Sequence, residues 1–318
     1  MKMKMERDAT LLTKYRPTSL DEIKGQDRVV KLLKSISTIT TSPHFLFVGK
    51  SGVGKTATAY AFANHLGVEV VEMNSSDERG IDTVREKIKT ILFSATPKIL
   101  LLDEADQMTK DAQFALRRLS EIVIQKNMPT RIIMTANYEY KIITAIKSRF
   151  AVLRFSPLKE ETIAEIVRNV MKNEGIRNDE KVVQLIAKVS KGDARSALNY
   201  VEMLKRMDYE AFLSYIAEEA TRVSLAKEVL SACVDGNWQK AYFMLKTLFY
   251  DHQADGRRVV EVLFDAIEDL EISPYKKLLI YRALAFAEQG INEECNPLVQ
   301  LSAFVADTIR VLHSDKVK

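Results

Sequence analysis

Apolar positions along the chain fall into two textures. Up to about residue 158, short unbroken apolar runs alternate with stretches of helical period. The runs are Phe45–Val48, Val68–Met73, Ile99–Leu102, Arg131–Thr135 and Ala151–Phe155. Their length and composition suit strands buried on both faces. Between them the spacing predicts helices at Gly25–Ile36, Ala57–Leu66, Asp82–Phe93 and Asp111–Ile124. Strands alternating with helices predict an α/β fold with a doubly wound, parallel, five-stranded sheet. Beyond Leu158 only helical periods remain. The first group is Thr162–Glu174, Asp179–Val189 and Asp193–Lys205. The second is Val223–Val234, Trp238–Tyr250, Gly256–Leu270, Pro274–Ala287 and Pro297–Val311, with broad apolar faces suited to one bundle. The expected domains are 1–160 for the sheet, 161–222 for a small helical domain and 223–318 for the bundle.

One loop sits where such a sheet places its ligand, at the carboxyl end of a strand. Gly49-Lys50-Ser51-Gly52-Val53-Gly54-Lys55-Thr56 fits G-x-x-x-x-G-K-[ST] between the strand Phe45–Val48 and a helix. Glycines let main-chain N–H groups wrap phosphate oxygens, and the helix N-terminus favours negative charge. Lys55 is placed to reach the β- and γ-phosphates of ATP, and the Thr56 hydroxyl to hold Mg²⁺. A glycine turn of no function accounts for the glycines but not for Lys-Thr at both required positions.

Other strand ends carry candidate polar residues. Asp103 and Glu104 close the run Ile99–Leu102: Asp103 suits the metal, Glu104 the attacking water, because successive strand residues point opposite ways. Asn137 also ends a strand, where an amide could bond the γ-phosphate or the attacking water, but on this residue alone an ordinary turn asparagine is the better reading. Arg149 and Arg195 are by spacing only solvated side chains, although an arginine can complete charge stabilisation in phosphoryl transfer. Arg85 and Lys89 share one helical stripe, as do Gln113 and Arg117. They could track DNA phosphates, but on spacing alone local ion pairing is the better reading.

Composition narrows little. The 318 residues are 47% hydrophobic and 28% charged, as in ordinary globular proteins, and the net charge of +4 permits an anionic partner without demanding one. Cys233 and Cys295 have no ligand-spaced companions and read as thiols of a reducing compartment. The charge-studded N-terminus is not a signal peptide, and no run of 18 apolar residues calls for a membrane.

Several longer motifs occur in order across the first two hundred residues. Lys14-Tyr15-Arg16-Pro17 is similar to an E-K-Y-R-P element, and Asn74-Ser75-Ser76-Asp77-Glu78-Arg79-Gly80-Ile81 to N-A-S-D-x-R-G-I. Asp103-Glu104-Ala105-Asp106 leads to Asp111-Ala112-Gln113 and Ala115-Leu116-Arg117-Arg118, as in D-E-A-D…D-A-Q-x-A-L-R-R. Gly192-Asp193-Ala194-Arg195 with Ala197-Leu198-Asn199 matches G-D-x-R-x-A-L-N. Together they resemble the small subunits of replication factor C, the AAA+ sliding-clamp loader. The last hundred residues match that family only in being a helical bundle.

The resemblance implies an ATPase that uses ATP and Mg²⁺. It implies that Asn137 is a sensor-1 residue, Arg195 a sensor-2 arginine and Arg149 a finger offered to a neighbour's nucleotide. Tyr15 and Arg16 would lie near the adenine, with Gly49, Lys50, Ser51, Gly52, Val53, Gly54, Lys55 and Thr56 on the phosphates. Arg85, Lys89 and Arg117 would face DNA. Residues 161–222 would be the lid, and residues 223–318 the collar of a hetero-pentamer of large and small subunits, acting on a ring-shaped clamp and primer–template DNA without a membrane. The expected compartment is cytoplasmic and nucleoid-associated, or nuclear in a eukaryote. The family's Ser-Arg-Cys reads Ser148-Arg149-Phe150 here, a bulky ring that points to a different neighbour. Lys50-Ser51 and Val53 replace Pro-Pro and Thr. These departures point to a divergent, second type of small subunit. The rivals are another AAA+ DNA motor, such as a Holliday-junction helicase, and a structural ATP-binding subunit with little turnover.

Overall fold

The computed structural model describes residues 10–74, 88–250 and 255–314. They divide into two compact units, one ending at Met207 and one beginning at Asp208. In the first unit, α1 (Leu11–Lys14) and α2 (Asp27–Lys34) precede β1 (Phe45–Val48) and α3 (Lys55–Leu66). Then come β2 (Glu69–Asn74), α4 (Lys89–Leu92), β3 (Lys98–Asp103), α5 (Lys110–Gln125), β4 (Thr130–Ala136), α6 (Thr144–Lys147) and β5 (Ala151–Arg154). All the strand pairs are parallel, in the order β2-β3-β4-β1-β5. Three helices follow: α7 (Glu160–Asn173), α8 (Glu180–Val189) and α9 (Ala194–Arg206).

Alternation along the strands builds two cores. Leu46, Val48, Leu100, Leu102, Ile132 and Met134 point to one face and pack under α5 through Ala112, Leu116 and Val123. Phe45, Phe47, Ile99, Leu101 and Ile133 point to the other, against Phe62 and Ala59 of α3 and Leu33 of α2. Each face is covered, so period-2 polarity vanishes and the strands read as continuous apolar runs. The helix expected at Asp82–Phe93 lies mostly outside the described residues, Arg85 included; α4 is its described end.

The second unit holds α10 (Tyr209–Val234), α11 (Trp238–Tyr250), α12 (Gly256–Glu268), α13 (Pro274–Asn292) and α14 (Pro297–His313) around one core that includes Val229, Leu245, Leu263, Leu284 and Phe304. The expected 222/223 boundary falls inside α10. The Asp208 carboxylate caps that helix, accepting from the N–H groups of Glu210 (3.0 Å) and Ala211 (3.2 Å). No Gly or Pro interrupts it before Gly236, so nothing ends a helix at residue 222.

Candidate nucleotide site

The phosphate-binding loop joins β1 to α3 with Gly52 and Gly54 both in the left-handed region, at φ of 68° and 97°. At Gly49 the constraint is space: a Cβ would lie 2.5 Å from the Phe155 carbonyl oxygen. Lys55 opens α3 and is buried, yet every proton of its ammonium has an acceptor. Nζ donates to the carbonyls of Gly49 and Lys50, each at 2.7 Å, and to Asn137 Oδ1 at 2.8 Å. Burial pulls its pKa down to about 8, against the raising fields of Asp103 and Asp106; Arg195 adds to the lowering. Arg195 therefore lies within electrostatic reach of Lys55, although its own side chain is exposed.

Asp103 ends β3 beside the end of β4. Its Oδ1 accepts from the Thr56 hydroxyl at 3.0 Å and also from the Thr135 hydroxyl. Thr135 in turn accepts the Glu104 N–H at 3.1 Å. Glu104 lies just past the strand, exposed, at a left-handed φ of 54°, so strand alternation does not set its direction. Among the described residues no cluster of three or more His, Cys, Asp or Glu could hold a metal alone. A hydroxyl and one carboxylate do fit Mg²⁺, a hard ion usually held by one or two carboxylates plus phosphates and water.

Sequence reasoning gave Asp106 no role. It is 5% exposed; Oδ1 accepts the Asn137 N–H at 3.2 Å, and Oδ2 is buried with no hydrogen-bond partner. The carboxylate thus fixes the main chain of the residue whose amide meets Lys55. Its only signal in sequence is its place in Asp103-Glu104-Ala105-Asp106.

The helix α9 reaches the loop as well. The Ala194 N–H donates to the Gly52 carbonyl at 3.1 Å, and Asp193 caps α9 by accepting from Ser196 N–H at 2.9 Å. From the other side, the Arg16 guanidinium lies 4.2 Å from the Tyr60 ring centroid, one turn beyond Thr56 on α3. Tyr60 donates to Glu72. Tyr15 lies apart from that pair, its hydroxyl donating to Glu174 at 2.7 Å.

Arg149 stands elsewhere. It precedes β5, whose Ala151 pairs with Phe45 at the start of β1, whereas the phosphate loop leaves the end of β1. Four strand residues, on the order of 10 Å, separate those two sheet edges. Arg149 donates to Glu121, to the Ala145 carbonyl (3.1 Å) and to the Ser148 hydroxyl (3.0 Å). Glu121 also takes Arg117, at 3.4 Å, and is held below the usual carboxylate range chiefly by the Arg149 hydrogen bond. Phe150 is 4% exposed, within the core under α5 and 5.2 Å from the His44 ring. It fills the sheet's own interior, so it does not mark a different neighbour.

Two polar candidates change character. Gln113 is buried, donating to the carbonyls of Met108 (3.3 Å) and Lys141 (3.1 Å) and accepting the Ile143 N–H (2.9 Å). It pins α5 to the segment ahead of α6 and shares no surface stripe with Arg117. Arg117 remains partly exposed beside Glu121, and Lys89 is exposed.

Residues 45–158 match the ATPase family associated with various cellular activities (AAA), and residues 222–307 the replication factor C C-terminal domain. Among curated relatives, a replication factor C small subunit of Thermoplasma acidophilum is 38% identical over 310 residues, covering 92% of this chain and 95% of its own. That of Aeropyrum pernix is 36% identical over 308 residues, covering 92% and 93%. That of Archaeoglobus fulgidus is 35% identical over 314 residues, covering 95% and 98%. Among solved structures, the Thermotoga maritima RuvB Holliday junction branch migration motor aligns with a TM-score of 0.56 at 18% identity, over 78% of this chain and 85% of its own. That likeness shows a shared fold. Long similarity to the first group, together with both family matches, assigns this chain to the replication factor C small subunits, the nucleotide-binding AAA ATPases of the sliding-clamp loader.

Proposed function

We propose that this chain binds and hydrolyses ATP with Mg²⁺ at an interface between clamp-loader subunits, and that ATP binding favours the assembly that opens a ring-shaped clamp on primer–template DNA. Hydrolysis then releases clamp and DNA. The observation that carries this reading is Lys55 held between the loop carbonyls and Asn137, beside Asp103 and Thr56.

In this reading the loop from Gly49 to Thr56 cradles the phosphates, and Lys55 exchanges its carbonyl partners for phosphate oxygens. Asp103 and Thr56 hold Mg²⁺, which would neutralise phosphate charge. Glu104 accepts a proton from the attacking water while Asn137 orients it. Arg195, on the helix docked to Gly52, adds charge from the lid. Tyr15 and Arg16 flank the adenine. The separation of Arg149 from its own chain's loop supports service to a neighbour's nucleotide. Arg85, Lys89 and Arg117 are the DNA-facing cations, making salt-dependent phosphate contacts. Residues 1–160 are the nucleotide domain, the helices that follow up to residue 207 the lid, and the second unit, from residue 208, the collar of a hetero-pentamer of large and small subunits. The differences in the phosphate loop suit a second type of small subunit, working on replicating DNA in the cytoplasm or, in a eukaryote, the nucleus. No helix among the described residues is long and apolar enough to cross a membrane.

Steady-state ATPase of the assembled complex, with primed DNA and clamp added in turn, tests the reading. Stimulation that requires both and is lost in Arg149→Ala is expected. A rate indifferent to the clamp favours a different DNA motor, and absent turnover favours a structural subunit.

A further inference from the structure

Glu174 gathers an unusual set of donors. It follows the last residue of α7, where Gly175 turns the chain away at a φ of 66°. Its side chain is 5% exposed, and both oxygens are engaged. Oε1 accepts from Lys14 Nζ at 2.6 Å and from the Tyr15 hydroxyl at 2.7 Å; Oε2 accepts from Lys205 Nζ of α9 at 2.7 Å. A second tie lies one helical turn earlier in the arm. The Leu11 N–H donates to Glu202 Oε2 at 3.2 Å, and the Leu11 side chain is buried.

Past Tyr15 the chain changes hosts. Arg16 stacks on Tyr60, and the Thr18 carbonyl accepts from Asn64 Nδ2 at 2.8 Å. Both partners belong to α3, the helix that Lys55 opens. Between Lys14 and Thr18 the arm therefore crosses from the α7–α9 helices to the helix of the phosphate loop. Among the described residues Arg16 has the Tyr60 ring contact and no ion pair, and it follows Tyr15 directly in the chain.

We propose that Glu174 is a positioning residue, a latch through which the α7–α9 helices hold the Tyr15–Arg16 arm against α3 and so set nucleotide affinity. Removing the carboxylate leaves two ammonium groups and a phenol facing one another without their shared acceptor, and mutual repulsion frees the arm. The latch rests on the reading that Arg16 lies at the nucleotide.

The full-length chain tests it with equilibrium ATP binding, ATP turnover and amide hydrogen exchange. Glu174→Ala is expected to weaken ATP binding about tenfold, to speed exchange in residues 11–18, and to leave kcat at saturating ATP within about twofold. Glu174→Gln, isosteric and less disruptive, falls between it and the parent. Lys205→Met leaves the Lys14 and Tyr15 contacts in place and should bind ATP as the parent does. Unchanged affinity in both Glu174 variants overturns the latch, even if exchange rises. Arg16→Ala separates the two layers. If it weakens ATP binding while Glu174→Ala does not, the latch alone falls. If neither weakens binding, the placement of the arm at the nucleotide falls with it.

Discussion

Asp193 lies against Gly52 so closely that a Cβ on the glycine would stand 1.7 Å from the Asp193 Oδ1 atom. The cap of α9 and the phosphate loop are thus built into one another, with the Ala194 N–H bonded to the Gly52 carbonyl. The loop from Gly49 to Thr56 and the helix that carries Arg195 are therefore joined by direct contact.

Gly52→Ala should therefore injure the site twice. The left-handed φ costs an alanine about 1–2 kcal/mol, and the collision expels the Asp193 carboxylate from the cap. ATP affinity is expected to fall by more than about tenfold, since 1.4 kcal/mol already corresponds to that factor. Asp193→Ala loses an N-cap worth about 1 kcal/mol but removes the obstacle. Titration of ATP into the double variant should show a loss smaller than the sum of the single losses. Strict additivity would mean that the two residues are not in contact in solution.

Glu104→Gln separates binding from turnover. The Glu104 side chain makes none of the hydrogen bonds that hold Lys55, Thr56 or Asp103; only its main-chain N–H enters the network. ATP affinity should stay within about twofold of the parent. Turnover in the assembled complex should fall by about 10²–10⁴, the usual worth of a positioned base. Equal losses in affinity and turnover would place the carboxylate in the binding framework instead.

The parts of this molecule that were legible in sequence are those whose physics is local. Phe45–Val48 is a strand in the structure with the bounds its apolar run predicts, and Trp238–Tyr250 a helix with the bounds its period predicts. The phosphate loop needs consecutive residues in one conformation, so its pattern is written in one place. Glu174 and Tyr15 are 159 residues apart in sequence, and Asp106 meets Asn137 across 31. Such pairings leave no period to read. Nor does Arg131, a buried cation at the start of an apolar run. The carbonyls of Thr40 and Ser42 (each 2.5 Å), Met128 (2.6 Å) and Thr130 (2.8 Å) surround its guanidinium, and burial lowers its pKa. Gln113 was misplaced for the same reason, because a glutamine satisfied by three main-chain groups looks in sequence like any surface glutamine.

Phe150 offers a clean separation of stability from interface chemistry. Its ring is core, while Arg149 before it is partly exposed. Phe150→Ala should destabilise the first unit by about 3–5 kcal/mol. Phe150→Cys, which restores the family's residue, should cost somewhat less. At temperatures where the variant chain remains folded, clamp- and DNA-stimulated ATPase should be retained, because the guanidinium and its Glu121 partner are untouched. Thermal unfolding and complex ATPase, measured on the same preparation, check both halves. Lost stimulation in a fully folded Phe150→Cys complex would return the ring to the subunit interface.

His44 should make the first unit acid-sensitive in a window of its own. Its Nδ1 accepts the Ile132 N–H at 3.0 Å, leaving Nε2 to donate to the Ser120 carbonyl at 3.2 Å. The neutral ring with its proton on Nε2 thus ties the start of β1 to β4 and α5. Burial pushes its pKa down to about 4 from 6.5, assisted by the Arg131 charge and opposed by the Ser120 hydrogen bond. Between those values the unfolded chain binds the proton and the folded chain does not, so stability rises with pH. The contribution is fully present above about 6.5 and drains as pH falls towards 4. Over the two pH units from 6.5 to 4.5 the loss is about 2–3 kcal/mol. The carboxylates held low by their partners, such as Glu174 at about 2, release their stability only below the ordinary value of 4.5. Urea unfolding followed from pH 7 to 4.5 should therefore show a falling midpoint that is flattened in His44→Gln, which can offer a similar acceptor and donor without titrating. An identical slope in parent and variant would mean that His44 is not held neutral in the folded protein.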